Sequence, residues 1–501
     1  MGLLSSWRGL ACLVISTILG RWFYSSRVKQ ERYAKLQAGP PTVLSSWSFG
    51  LNFVVSMFRA ILKHKFVDWT QDLLNNNHHT LELHMLGANL LLTDDPENIK
   101  AVQDSQFTEV AKSKEQHEIF KHILGDAIFA LNGEDWKKES AVLRPHMSRV
   151  RQSDFEVTER HMKTAFDILA IPGRDAFDTI DRFVLDVVTE VFCGESTNSL
   201  TSNQQPFRDA MDKLLKIASF RQLLGCVRKA GLYLRDDWIA PAATKFIDRY
   251  LDTFADHAYA RKANPDHPKD LTLIDDMIKM GKSRADVKNA VCATLLAGKD
   301  PTTTTLAWAY YEIAKHPEVF AKMKAEVNEH LGADQIPTLQ DFHKMKYIRM
   351  VIKETLRVHH PLGYNARVPI KDMTLPRGGG PDGSSPVAVL KETQIFYSLL
   401  TLQLRDDLGV EDVNAWKPDR WETWRPGNKW EYIPFNYGPR ICIGQVFGNF
   451  QMEYFLVRLC QEFESITLLP DSKPQEGLVR LELNTKTAHP ILTKSVRVAR
   501  K

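Results

Sequence analysis

Apolar residues recur at three-and-four spacing over Ser153–Leu169 and Asp175–Phe192, the period of helices with one buried face. The same period dominates from Asn52 to about His360, which predicts a mostly helical body. Asp286–Ala314 is apolar on most faces, so it is expected to be a buried central helix. A further amphipathic run, Ile443 to Phe463, carries apolar residues at 443, 446, 447, 450, 454 and 457. The period changes only late. Met373–Leu375, Val387–Leu390 and Ile395–Tyr397 read as short strands. Between the first two lies Pro376-Arg-Gly-Gly-Gly-Pro-Asp-Gly-Ser-Ser-Pro386. No helix follows these glycines and no lysine–hydroxyl pair ends them, so a hairpin turn is preferred to a phosphate loop. The balance predicts a mainly α fold with a minor β part, in one large domain.

The N-terminus departs from this pattern. Residues 9–20, GLACLVISTILG, are uncharged, and Trp22, Phe23 and Tyr24 follow. Twelve uncharged residues fall short of the ~20 that span a bilayer. With Met1–Trp7 and the aromatic residues the length suffices, Arg21 snorkelling to the interface. Arg27, Lys29, Arg32 and Lys35 then favour a cytoplasmic location for the rest. A cleaved signal peptide is the competing reading, but no small-x-small site is followed by a secreted-type cysteine pattern. Met1-Gly2-Leu3-Leu4-Ser5-Ser6 matches a loose myristoylation pattern, for which chance is sufficient. The expected layout is a membrane anchor at 1–25, a basic, proline-containing linker at 26–50 and a catalytic domain at 51–501. Gly39-Pro40-Pro41 is the stiff hinge of that linker.

Composition narrows the function. Of 501 residues, 44% are hydrophobic and 25% charged, which suits a globular body with a large core. Basic residues exceed acidic ones by only 65 to 61, and no aromatic–basic ladder is present, so nucleic acid is not the expected partner. The six cysteines form no C-x-x-C pair, which argues against a disulfide framework or a zinc site. A thiol-reducing compartment, such as the cytosolic side of a membrane, fits.

The most informative segment is Phe435-Asn-Tyr-Gly438-Pro-Arg440-Ile-Cys442-Ile-Gly444. Cys442 stands just before an amphipathic helix, where backbone N–H groups and the helix dipole favour a thiolate. A thiolate ligand raises electron density at haem iron and favours O–O cleavage. Gly438 and Gly444 would let the backbone approach a flat macrocycle. Phe435 can pack beside the sulfur and exclude water, and Arg440 can pair with a haem propionate. The segment resembles F-x-x-G-x-R-x-C-x-G, the haem-binding signature of the cytochromes P450.

Other stretches extend the resemblance. Lys353-Glu354-Thr355-Leu356-Arg357 places Glu354 and Arg357 on one helix face and resembles the family's E-x-x-R helix. Trp416-Lys-Pro418-Asp-Arg420-Trp421 resembles the segment whose arginine completes a Glu-Arg-Arg network, so Glu354, Arg357 and Arg420 are expected to brace the cysteine loop. Ala297-Gly298-Lys299-Asp300-Pro301-Thr302 resembles the helix over the distal haem face, where an acid and a threonine relay protons. Asp300 fits the acid. Pro301 stands at the usual relay threonine, which implies a kinked helix and a relay through Thr302 or water. Trp136-Lys-Lys-Glu-Ser140-Ala-Val-Leu-Arg144 resembles W-x-x-x-R but has serine in place of the propionate arginine. Trp136, through its indole N–H, Arg144, one turn beyond Ser140, and Arg367 in Asn365-Ala-Arg-Val are the remaining propionate candidates.

Leu295-Leu-Ala-Gly, Thr374-Leu-Pro-Arg-Gly-Gly-Gly-Pro-Asp-Gly and the cysteine loop look like the fungal alkane- and fatty-acid-hydroxylating branch. That resemblance, over about residues 90 to 470, implies oxidation of a C–H bond on a long apolar chain. The chain would be a fatty acid, an alkane or the alkyl chain of a secondary metabolite. Phe120–Phe129, Ser219–Leu224, Leu295–Thr303 and His360–Tyr364 are the expected pocket segments. The implied cofactor is haem b. No flavin or nicotinamide fingerprint is present, so electrons are expected from NADPH through a separate cytochrome P450 reductase. Lys137, Lys138, Arg149, Arg151, Arg425 and Lys429 are candidates for its basic docking surface. The expected location is the endoplasmic reticulum membrane, facing the cytosol. Pro301 keeps open a haem-thiolate isomerase, dehydratase or peroxide-using enzyme, and a non-catalytic haem protein is a third class.

Overall fold

The computed structural model describes residues 27–44, 50–85, 88–225, 235–262, 272–332 and 335–499, with Leu10, Ser16, Gly20 and Tyr24 as isolated positions before them. The expected anchor at 1–25 lies outside the described residues apart from those positions. Among the described residues, no helix is long and apolar enough to cross a membrane.

The helical periods of the sequence are realised at Gln152–Leu169, Ala176–Cys193, Arg284–Lys315 and Gln445–Glu462. The central helix, Arg284–Lys315, starts where Ser283 and Asp286 form a reciprocal capping box. It is buried along most of its length and packs against Ala176–Cys193 and Gln445–Glu462 in one core. Helix Ala176–Cys193 is capped by the Asp175 carboxylate, which accepts from Phe177 N–H, and ends at Gly194 with φ 83°. Pro301 lies inside the central helix, which continues across it to Lys315.

Among the described residues, the strands form four separate sheets. Six form a mixed sheet: β1 (Val43–Leu44), β2 (Thr80–Met85), β3 (Ala88–Thr93), β8 (Gln394–Ser398), β5 (Tyr364–Pro369) and β4 (Val110–Ala111), in that order. The glycine-rich stretch is the hairpin expected of it, joining β6 (Met373–Gly379) to β7 (Ser385–Val389). β9 (Phe463–Leu468) pairs antiparallel with β12 (Thr493–Arg497), and between them in the chain β10 (Val479–Leu481) and β11 (Thr485–Thr487) form a hairpin.

The expected linker at 26–50 needs correction. Arg32 Nε donates to Asp372 at 2.8 Å. Gly39 bridges to Val387, and β1 pairs in parallel with β2. From Arg32 to Leu44 the chain therefore packs on the body. An edge strand two residues long and one ion pair leave no periodic signature, so hydrophobic patterning cannot reveal them.

Candidate active site

A cavity of about 580 Å³ lies between the central helix, the sheet and the loop before helix Gln445–Glu462. Cys442 is exposed onto this cavity, and Phe435 lines it alongside. The cysteine loop is held on several sides. Cys442 N–H donates to Phe435 O at 2.9 Å. Gln103 Nε2 donates to Asn436 Oδ1 at 3.0 Å, and Gln103 Oε1 accepts from Tyr437 N–H at 3.0 Å.

Gly438 has φ 70°, and a Cβ there would lie 2.1 Å from Gln103 O. Its glycine is therefore required by the turn and the neighbouring backbone, whatever lies on the cavity side. At Gly444 a Cβ would meet Cys442 Sγ at 3.9 Å, an ordinary contact, so crowding does not account for that glycine. Desolvation pushes the Cys442 thiol pKa up, and the Gly444 N–H pulls it back. Burial therefore opposes the thiolate form, and a cationic centre bound at the sulfur would favour it.

Behind the loop, Glu354, Arg357 and Arg420 come together as their motifs implied. Glu354 is wholly buried. Arg357 binds it with two hydrogen bonds of 2.9 Å, and Arg420 Nε donates at 2.8 Å. Trp421 Nε1 and Lys417 N–H complete its shell at 2.9 and 3.0 Å. Burial would raise the Glu354 pKa, but the hydrogen bond and charge of Arg357 hold it below the usual carboxylate range. The network reaches the loop through Gln403: Arg357 Nη1 donates to Gln403 O, and Ile433 N–H donates to Gln403 Oε1.

A second polar group faces the cavity itself. Arg367 on β5, Arg440 in the loop and Lys112 after β4 all line the wall. Their partners are neutral: Asn365, Asn132 and the carbonyls of Ala366 and Leu131. The Arg440 guanidinium lies 4.6 Å from the Trp136 ring centroid. Burial and Arg367 lower the Arg440 pKa to about 10. Burial, Arg367 and Arg440 push Lys112 well below the ordinary lysine value. Sequence reasoning missed Lys112, which belongs to no motif. Arg144 is not brought to the site. Trp136, Ser140, Leu143 and Met147 share the lining face, and exposed Arg144 falls roughly 70° off it on a helix turning ~100° per residue.

On the opposite wall, Thr302 lines the cavity with Ala297, Gly298 and Pro301. Asp300 does not; this too is a correction. Its carboxylate lies 2.9 Å from Lys299 Nζ and 3.6 Å from Lys486 Nζ. Lys299 also pairs with Asp181 at 2.8 Å. Burial would raise the Asp300 pKa, but Lys299 and Lys486 outweigh it and pull it down to about 2. The cavity-lining Asn484 donates to Asp300 Oδ2 at 3.2 Å, so Asp300 reaches the wall through an intermediary.

All four expected pocket segments contribute wall residues, among them Phe120, Phe220, Leu296 and Leu362. Two further regions were not foreseen. One is an apolar arm from Ile61, Phe66, Leu83 and Leu92; the other is the tip of the β10–β11 hairpin. Of the expected basic surface, Arg151 is engaged with Asp154, Lys137 with Glu134 and Lys138, at 3.8 Å, with Asp135.

The fold matches a crystal structure of a cytochrome P450 (CYP102L1) with a TM-score of 0.74 and 20% identity, covering 92% of this chain and 99% of that one. A sulfur at an apolar cavity beside cations that lack acidic partners fits a flat, iron-bearing dicarboxylate. That is the group a haem-thiolate oxidoreductase carries, and the family match bears on it directly. The family model described as Cytochrome P450 matches residues 40–488, and the chain belongs to that family as a P450 monooxygenase. It is 32% identical to "Cytochrome P450 monooxygenase pvhE" of Talaromyces variabilis, over 88% of this chain and 87% of that one. It is 30% identical to "Cytochrome P450 52E1" of Candida apicola, over 95% of each. It is also 30% identical to "Cytochrome P450 monooxygenase fsdH" of Fusarium heterosporum, over 97% of this chain and 91% of that one.

Proposed function

We propose that this monooxygenase inserts one oxygen atom from O2 into a C–H bond of a long apolar chain, with the Cys442 sulfur as the group that would hold the iron of haem b. The observation that carries this reading is the Cys442 sulfur opening onto a mainly apolar cavity whose lining extends to Phe66 and Ile61. The haem, when bound, supplies dioxygen activation. The chain's own residues position and protect. Phe435 keeps water from the sulfur, and Gly444 lends it an N–H. Arg367, Arg440 and the Trp136 indole N–H hold the propionates. Glu354, Arg357 and Arg420 keep the loop in place through Gln403.

Thr302 is the hydroxyl that moves protons at the cavity wall. Pro301 has no N–H, so the carbonyl of Ala297 lacks its i+4 donor and can hold a water near Thr302. Asp300 acts indirectly: it fixes Asn484 and Lys486 and stays ionised. Apolar side chains exclude water and align an alkyl chain of a fatty acid, an alkane or a polyketide, as in secondary-metabolite biosynthesis. Electrons come from NADPH through a separate reductase docking on the basic proximal face around Lys138 and Arg149. Residues 1–25 anchor the catalytic domain to the endoplasmic reticulum membrane, facing the cytosol.

The test uses microsomes carrying the full chain and a P450 reductase. The reduced protein with carbon monoxide should show the red-shifted Soret band of a thiolate ligand. Fatty acids, alkanes and alkyl polyketides should then yield NADPH-dependent hydroxylated products. Absence of the band overturns the ligand assignment. The band without any alkyl-chain product overturns the substrate reading.

A further inference from the structure

Three cations meet on one wall of the cavity. They come from separate parts of the chain, and the sheet brings two of them together. β4 pairs antiparallel with β5, with Val110 opposite Pro369 and Ala111 opposite Val368. Continuing that register by one residue sets Lys112 beside Arg367. Lys112 Nζ donates to Asn365 Oδ1 at 3.1 Å, and Arg367 Nη1 donates to the same oxygen at 3.0 Å. Asn132 ties Lys112 to the third cation. Its Oδ1 accepts from Lys112 N–H at 2.9 Å and from Arg440 Nη2 at 3.2 Å, while its Nδ2 donates to Lys112 O at 3.0 Å.

No carboxylate pairs with Lys112, Arg367 or Arg440 among the described residues. Like charges crowded in a poorly solvated site repel. A half-buried cation group without acids, lining a cavity, marks a place where an anion can bind. Haem b brings two carboxylates, and one residue expected to meet them is missing: Ser140, buried in this wall, stands where the family resemblance places an arginine.

We propose that Lys112 is a propionate-binding residue that takes the place of the arginine absent at Ser140, with Asn132 and Asn365 as its positioning residues. The inference rests on the haem reading of the cavity. Its chemistry is an ammonium donating to a carboxylate, a charge-assisted hydrogen bond of the strong class. Desolvation and the two arginines depress the Lys112 pKa in the cation-only wall. An arriving carboxylate reverses that and restores the ammonium.

The test follows haem transfer from the full-length holoprotein to a haem-free globin, together with haem bound per chain. Lys112→Met should release haem roughly tenfold faster or more, the loss of one hydrogen bond to a charged group. Lys112→Arg should stay near the parent. Ser140→Arg placed in the Lys112→Met background should recover much of the retention. Exposed Lys163→Met, on a helix outside the cavity wall, should leave haem release unchanged. Resonance Raman spectra should show the propionate bending band moved in Lys112→Met alone. The haem-free Lys112→Met chain should melt no lower than the parent, because a repulsion has been removed. Parent-like haem release by Lys112→Met, or an unmoved propionate band, overturns the proposal. So does a melting loss in the haem-free form that accounts for the faster release. Should Lys112→Met not accumulate, Lys112→Gln and the Lys112→Arg/Lys112→Gln contrast in the same two readouts decide it. A parent chain that binds no haem would instead bring down the haem reading itself.

Discussion

Two polar clusters flank the same cysteine loop and are built on opposite rules. Glu354, Arg357 and Arg420 form a closed set: one carboxylate meets two guanidiniums, an indole N–H and a backbone N–H, and nothing is left to bind. Lys112, Arg367 and Arg440 form an open set, with three cations and only amide and carbonyl oxygens as partners. The closed set is satisfied in the protein alone, so it serves the fold. The open set is satisfied only by an incoming anion, so it serves a ligand. A third cluster, around Asp300, is closed as well: Lys299, Lys486 and Asn484 saturate its carboxylate. That placement makes it part of the framework behind the distal wall.

The comparison can be broken by experiment, starting with the largest effect. Cys442→Ala should lose the red-shifted carbon monoxide band altogether, while the circular dichroism of the chain stays helical. A retained band would remove the sulfur on which both clusters centre. Glu354→Ala should come next. It leaves Arg357 and Arg420 buried without a counter-ion, a loss of about 3–5 kcal/mol in unfolding free energy. Because the set is closed, the loss should be the same with and without haem; dependence on haem would contradict the distinction.

The Asp300 cluster gives a pH signature. Its folded pKa of about 2 lies below the ordinary aspartate value of 3.8, so the carboxylate contributes stability above pH ~4. That contribution, on the order of 2 kcal/mol, should fade as pH falls from ~4 to ~2. Denaturant titrations across this range should show the slope in the parent and a flatter profile in Asp300→Asn. Arg367→Met should behave oppositely to Glu354→Ala: haem loss several-fold faster, with the melting temperature of the haem-free chain unchanged or slightly higher. The smallest effect on stability, within about 1 kcal/mol, is expected for Thr302→Ala at the cavity wall. Its readout is coupling, with more peroxide released per NADPH consumed and less product. Unchanged coupling would take Thr302 out of the proton path.

Both closed clusters were partly legible beforehand, and the open one only in part. Glu354 and Arg357 are three residues apart on one helix, so spacing alone joins them, and Arg420 followed from a recognised segment. Asp300 was also legible as an acid. Its orientation was not, because Lys486 lies on a hairpin far along the chain. Arg367 and Arg440 belong to motifs; Lys112 does not. Arg144 looked suitable by count, yet the lining face of its helix passes through Leu143 and Met147 instead. The signature motif picks out the glycine at 438, but the Gln103 carbonyl that crowds it lies far away in sequence.

Local chemistry decided what could be read in one dimension: helix periods, the cysteine before a helix start, the E-x-x-R pair and the turn-forming glycines. Each depends on residues a few positions apart, whose geometry the backbone imposes. Tertiary structure alone decided which charges are paired and which stand open. Lys112 reaches Arg367 through the β4–β5 register, and Lys486 reaches Asp300 through the β10–β11 hairpin. Electrostatic energy depends on distance through space and on burial, and neither is encoded by separation along the chain.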